Sequence, residues 1–397
     1  MRRWAFLLIM LLPAFAHAGP SSCDFLAKQI ATTGSGPVFV ASYPTATIDQ
    51  LRGVAFFYDN AVAALALIGC GDEKSAARIG DAMLFALAHD RYWHDGRLRN
   101  AYLAGSQTNK PVKLPGWWDK KQNMWVEDDY QVGSDTGNMA WGILALIALH
   151  RSSGDPRYLD GAKRIAKFLD KSFDARAPLG YTGGTLGDEP SPQVNLWKST
   201  EHNTDIAAAF RELADDTGDA HWRARAATAQ NFAAAMWDAQ CECFAAGTLP
   251  DGHTPNAILA LDAEIWPLLA LPEFAERFQP SIATAEQHMG AGDGFSYSEA
   301  KEGVWTEGTA QAALLMELLG QPRKAALLMT AAERNRIADG SYYASSAAQQ
   351  DTGFRLDTDP TKPRLYFHLL HLAAVSWVAM EQRRFNPFTA TTLLPEP

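Results

Sequence analysis

The sequence predicts an all-α chain, six helical hairpins closed into an (α/α)6 barrel with inner and outer helix rings and long loops at one mouth. Three observations predict it. Ala/Leu-rich segments with helical spacing recur in pairs. The turn inside each pair is brief, whereas the connection to the next pair is long. The first member of each pair is apolar on most sides, as in Gly142-Ile143-Leu144-Ala145-Leu146, and the second is amphipathic, as in Ala162-Lys163-Arg164-Ile165-Ala166.

The first members, expected as inner helices, fall at roughly 59–69, 136–150, 201–215, 256–270, 306–319 and 365–381. Their outer partners follow at roughly 74–89, 156–171, 220–237, 273–289 and 322–336, with 23–32 supplying the sixth and closing the ring. Stop signals sit inside the pairs: Gly69-Cys70-Gly71, Ser153-Gly154-Asp155-Pro156, Thr217-Gly218-Asp219, Leu271-Pro272 and Gly320-Gln321-Pro322. The long connections are 90–135, 172–200, 238–255, 290–305 and 337–364. Long loops in compact domains tend to carry function, so the site is expected where they gather.

The N-terminus has the layout of a signal peptide: Arg2-Arg3, an apolar run from Trp4 to Phe15, then Ala16-His17-Ala18 before Gly19. Residues 1–18 are therefore expected to be removed, leaving 19–397 as one barrel domain in the periplasm or outside the cell. No later run approaches the ~18 apolar residues of a membrane span. A formal net charge of −10, more negative still without Arg2 and Arg3, disfavours nucleic acid and anionic membranes as partners. Four cysteines suit an oxidising compartment, with Cys23–Cys70 the favoured pair, and Cys241-Glu242-Cys243 forming a strained bridge or two plain thiols. That spacing does not suit zinc. Phosphate loops, nucleophile elbows and regular calcium loops are also missing, so no metal or cofactor is expected. A monomer is expected.

Polar residues collect where each inner helix begins. The entrances read Tyr58-Asp59-Asn60; Asp135-Thr136-Gly137-Asn138 leading to Trp141; Thr200-Glu201-His202-Asn203-Thr204-Asp205; Asn256 with Asp262 and Glu264 further in; Trp305-Thr306-Glu307 leading to Gln311; and Tyr366-Phe367-His368. In a closed ring these converge on one axis. Glu201 and Glu307 share the phrase Thr-Glu at equivalent places, and glycoside hydrolysis needs such a carboxyl pair, one to protonate the leaving oxygen and one to activate water or attack carbon. Asp59 and Asp135 are further acids for the same work. Each also suits a plain helix cap, because helix N-termini favour Ser, Thr, Asp and Asn and attract anions.

That attraction lowers a carboxylate's pKa and favours a base, so the acid is expected elsewhere, with the loop Glu127-Asp128-Asp129-Tyr130 one source. Asn60, Asn138, His202, Asn203 and Gln311 are candidate hydroxyl ligands, and Trp141, Trp197 and Trp305 candidate stacking faces. Trp93, Trp117, Trp118 and Trp125 also fall in mouth segments, whereas Trp222, Trp237 and Trp377 are read as packing. His368 and His371 read as a core pair.

The phrases Tyr58-Asp59-Asn60-Ala61, Gly137-Asn138-Met139-Ala140-Trp141, Ser199-Thr200-Glu201-His202-Asn203 and Glu307-Gly308-Thr309-Ala310-Gln311 resemble the six-hairpin glycosidase superfamily over most of the chain. The resemblance implies that an oligo- or polysaccharide lies across the mouth and that the catalytic carboxylates come from Asp59, Asp135, Glu201 and Glu307. The same architecture hosts polysaccharide lyases and sugar epimerases, and fold alone does not fix the reaction. A lyase would need a Tyr, His or Lys base, and an epimerase inward histidines, for which His202 and His368 are available. A non-catalytic carbohydrate-binding barrel needs no acid pair.

Overall fold

The computed structural model describes residues 19–356 and 358–393. The expected leader, 1–18, lies outside them. The helices are α1 (Ser22–Thr33), α2 (Phe57–Gly69), α3 (Glu73–His89), α4 (Asp129–Val132), α5 (Thr136–Ser153), α6 (Pro156–Leu169), α7 (Thr200–Thr217), α8 (Ala220–Ala235), α9 (Leu261–Ala270), α10 (Pro272–Phe278), α11 (Ser281–Met289), α12 (Thr306–Leu318), α13 (Pro322–Glu333) and α14 (Leu372–Gln382).

Helix α2 packs on α5, α5 on α7, α7 on α9, α9 on α12, α12 on α14, and α14 back on α2, so these six form a closed circuit. Outside them α3 packs on α2, α6 on α5, α8 on α7, α10 and α11 on α9, α13 on α12, and α1 on α14. Burial explains the division. In α5 every residue from Met139 to Leu149 is buried, and each large aliphatic side chain removed from water there contributes about 1.5–3 kcal/mol. In α6, Tyr158, Ile165 and Phe168 face inward while Arg164 and Lys167 stay exposed.

The turns within pairs are built as the sequence signals. Gly154 and Gly218 close α5 and α7 with φ of 71° and 69°, a conformation that suits glycine. Asp155 and Asp219 then cap α6 and α8 by accepting from Arg157 N and His221 N. Disulfides join Cys23 to Cys70, tying α1 to the α2–α3 turn, and Cys241 to Cys243. Among the described residues no helix is long and apolar enough to cross a membrane.

Three expected helices differ. The 273–289 segment divides into α10 and α11 at Gln279-Pro280, since proline lacks the N–H that would continue the first helix. The 256–270 helix starts only at Leu261, because Pro255–Asn256 pairs with Gly247–Thr248. The 365–381 helix starts at Leu372, and the residues before it form a long hairpin, Gln349–Leu356 against Asp359–Phe367, with Gln350 opposite Tyr366. The apolar run Leu365-Tyr366-Phe367 suits a strand as well as a helix, and its pairing with Gln349-Gln350-Asp351 makes it one.

Candidate active site

Four of the six inner helices, α2, α5, α7 and α12, are fastened to the loop beside their entrance through side chains that the sequence places in the first turn. Thr136 Oγ1 donates to Thr182 O (2.7 Å), Thr200 Oγ1 to Ala245 O (2.6 Å) and Thr306 Oγ1 to Tyr343 O (2.6 Å). Asn60 and Asn203 do comparable work. Asn60 accepts from Val40 N (2.8 Å) and donates to Val40 O and Phe56 O (3.0 and 2.9 Å). Asn203 accepts from Tyr181 N (2.8 Å) and donates to Tyr181 O and Ser199 O (3.1 and 2.8 Å). Neither lines the cavity, a correction to their reading as sugar ligands: both amides are fully spent on backbone.

With the entrances fixed, the residues that follow face a single cavity of about 450 Å3. All six inner helices contribute to it. Tyr58 and Asp59 come from α2, Asp135, Gly137, Asn138 and Trp141 from α5 and its cap, and Glu201 and His202 from α7. Asp262 and Trp266 come from α9, Glu307 from α12 beside Trp305, and His371 caps α14. Trp197 lines the cavity from the preceding loop, and the long hairpin covers it with Arg364 and Tyr366. Gln311 lies one turn below, its Nε2 donating to Glu307 Oε1 at 3.3 Å. Among the mouth tryptophans, Trp93 stacks on the Arg97 guanidinium at 3.6 Å, while Trp118 and Trp125 sit exposed on a hairpin.

Glu307 is buried, and a set of donors surrounds it. Tyr58 Oη donates to its Oε1 at 2.6 Å, and Trp377 Nε1 in turn donates to Tyr58 Oη at 2.8 Å. His371 sits between two carboxylates, Nε2 3.2 Å from Asp59 Oδ2 and Nδ1 3.7 Å from Glu307 Oε2, its ring stacked on Tyr43 at 4.6 Å. Burial pushes the Glu307 carboxyl up to about 7, against the lowering effect of His371 and of the Tyr58 hydrogen bond. Burial alone would lower the His371 pKa, but the facing Asp59 carboxylate outweighs it and the imidazole is held above its ordinary value. These two shifts favour the charged form of His371 beside a glutamate pushed up to about 7.

Glu201 has a different neighbour. It shares a hydrogen bond with Asp262, which also accepts from Tyr297 Oη at 2.7 Å and Ala263 N at 2.7 Å. Burial, then the Asp262 charge, pushes Glu201 well above the usual carboxyl range, while Arg364 pulls it back in part. Asp205, one turn below, is likewise pushed up by burial and by Glu201. His202, one of whose ring nitrogens lies 3.1 Å from Thr136 Oγ1, is held down to about 3 by burial and by Arg364. Its ring fits because position 137 is glycine: a Cβ there would lie 2.6 Å from it.

At Glu201 and Glu307 the shift runs opposite to the lowering expected of a helix N-terminus. Removal from water outweighs the helix dipole, which acts only within one turn and is a weaker effect than full desolvation. In the acidic loop, Glu127 is taken up by Arg91 (2.8 and 2.7 Å), and Asp128 caps α4 while lining the cavity. The histidine reading also changes. His371 is in the cavity, whereas His368 stacks on Tyr343 at 3.8 Å with Nδ1 2.5 Å from Ser345 O.

Tyr43, Trp266, Tyr297 and Arg364 were not singled out from sequence, and His371 was read there as core. For Asp262 a signal existed: once α9 is started at Leu261, Leu261-Asp262 falls in register with Thr200-Glu201 and Thr306-Glu307. Among the described residues no cluster of His, Cys, Asp and Glu is arranged to hold a metal ion.

No protein-family model and no curated protein sequence matches the chain. Solved structures match it in fold. One is a wild-type glycosidase, with TM-score 0.61 and 13% identity over 91% of this chain and 95% of that one. Another is the cellobiose 2-epimerase of Bacillus thermoamylovorans B4167, with TM-score 0.59 and 14% identity over 90% and 95%. The GH76 alpha-mannanase of Bacteroides thetaiotaomicron follows at TM-score 0.54 and 12% identity over 91% and 94%. The chain therefore shares its helical-barrel fold with solved glycosidases and a cellobiose 2-epimerase.

Proposed function

We propose that the protein is an exported (α/α)6-barrel enzyme that hydrolyses, or transfers across, a glycosidic bond in an oligo- or polysaccharide. The observation that carries this is the pair Glu201 and Glu307, on different inner helices but facing one cavity, Glu201 against the Asp262 carboxyl and Glu307 among donors. Two carboxyls in unlike surroundings on one cavity are what separate acid and base roles require. Glu201, kept protonated by burial and by Asp262, is the acid that donates to the leaving oxygen. Glu307 is the base or nucleophile, since Tyr58, Gln311 and His371 all present donors to its carboxylate. Asp59 favours the charged form of His371, and Asp135, which lines the cavity, accepts a sugar hydroxyl. Tyr58, Trp141, Trp197, Trp266 and Trp305 supply apolar faces for the ring C–H groups. The signal-peptide layout of the first eighteen residues and the two disulfides support export.

The test is an oligosaccharide panel assayed for new reducing ends. Glu201→Gln and Glu307→Gln should each lose about 10²–10⁴-fold in turnover while still binding the same oligosaccharides. Full turnover in either variant would falsify the assignment. His202 and His371 in the same cavity favour one alternative, epimerisation, in which neutral His202 would abstract a proton. A product of unchanged length with an altered reducing-end sugar would decide for it.

A further inference from the structure

Beside the cavity lies a second space, a groove of about 350 Å3 between the strand around Asn195, Pro250 and the long hairpin. Trp197 and Leu356 line both spaces, so the groove continues the cavity across a shared wall. Both volumes fall in the range that holds a small ligand.

Several features mark the groove as a place where a ligand is held. Asn195 is 6% exposed and its Nδ2 has no hydrogen-bond partner among the described residues. Its backbone pairs with Gly184 and accepts from Gly183 N at 3.2 Å, which holds the residue at the groove wall. A buried amide donor left unmade is unfavourable, and an acceptor arriving in the groove would relieve it. Trp197 is fixed at the junction because Gly183 makes room: a Cβ there would lie 2.4 Å from the indole. Val194 and Leu196 add half-exposed apolar surface. Among the described residues the groove's one charged residue, Arg355, faces Asp351 at 3.4 Å.

We propose that this groove is an accessory sugar-binding site for a neutral glycan. It holds the part of the chain beyond the reacting unit, with Asn195 Nδ2 donating to a sugar hydroxyl and Trp197 stacking at the crossing. The inference rests on the carbohydrate reading of the cavity. It makes the substrate an extended oligosaccharide, recognised by length as well as by its reacting unit.

The test uses glucose and mannose oligosaccharides of two to six units, titrated by tryptophan fluorescence and calorimetry against Glu307→Gln alone and with Asn195→Ala or Leu196→Arg added. With Glu307→Gln alone, affinity should rise about tenfold or more from the shortest bound member to the longest. Asn195→Ala should erase most of that rise, about the tenfold expected of one buried hydrogen bond. Leu196→Arg, made at an exposed position where folding is not at stake, should do the same by filling the groove. Affinity independent of length overturns the proposal, as does a length gain that survives both changes, or a failure of every oligosaccharide to bind. If Glu307→Gln retains turnover, the acid–base reading fails while the length dependence is still measured, so the two failures are distinguishable.

Discussion

The entrances of α7 and α12 open on the same two residues and are anchored by the same device. Thr200 N and Thr306 N donate to Ala246 O and Ala344 O (2.9 and 3.0 Å), and both threonine hydroxyls donate to the preceding carbonyl of the same loop (2.6 Å each). The glutamates that follow nevertheless meet opposite surroundings. Glu307 faces donors, from Tyr58 on α2, His371 at α14 and Gln311 on its own helix, whereas Glu201 faces the Asp262 carboxyl of α9. The local phrase fixes where each carboxyl stands, and the neighbouring helices fix which proton it holds.

That contrast can be tested through stability first. Glu307 has an ordinary pKa of 4.5 when unfolded and about 7 when folded, so the folded state binds the extra proton between these values. Folding is therefore favoured below pH 4.5 relative to above 7, and stability falls across that window by up to about 3 kcal/mol. Glu307→Gln should remove this fall and make the protein more stable than wild type at pH 8, as read by denaturant titration at pH 5 and 8. A pH dependence identical to wild type would mean that the carboxyl is already ionised in the fold.

The second test is kinetic. Tyr58 lowers the Glu307 pKa and Asp262 raises that of Glu201. In kcat/KM against pH, Tyr58→Phe should therefore move the acidic limb, near 7, to higher pH, and Asp262→Asn should move the alkaline limb to lower pH. Shifts of about one unit, a factor of ten at the flank, are expected. If both variants move the same limb, the two entrances do not have separate roles.

The smallest effect concerns the anchors. Thr200→Val loses one hydrogen bond, at about 1 kcal/mol. Thr306→Val also strands Asn335 Nδ2, which donates to Thr306 Oγ1 at 2.8 Å, so its cost should approach about 2 kcal/mol. Equal losses in thermal unfolding would show that Asn335 finds another partner.

Much of the helical layout was legible because it depends on periodicity and punctuation. Gly154-Asp155-Pro156 and Gly218-Asp219 each carry a helix stop and the next helix's cap within three residues, and the structure uses them so. The long hairpin was not legible: Leu365-Tyr366-Phe367 reads as well for a helix, and only pairing with Gln349-Gln350-Asp351, across a turn, selects the strand. Asn60 and Asn203 show the same limit at the site. An asparagine in a first turn looks the same in sequence whether its amide meets a ligand or, as here, the backbone of another loop.

By itself, then, the sequence determined the paired helices, their turns and the set of acids at the entrances, because these follow from spacing and capping within a few residues. Tertiary structure alone decided which acids share a wall, that His371 and Arg364 join them, and that Glu201 meets a carboxyl where Glu307 meets donors. The physical reason is that proton affinity is set by desolvation and by charges a few ångströms away, and those neighbours come from distant parts of the chain.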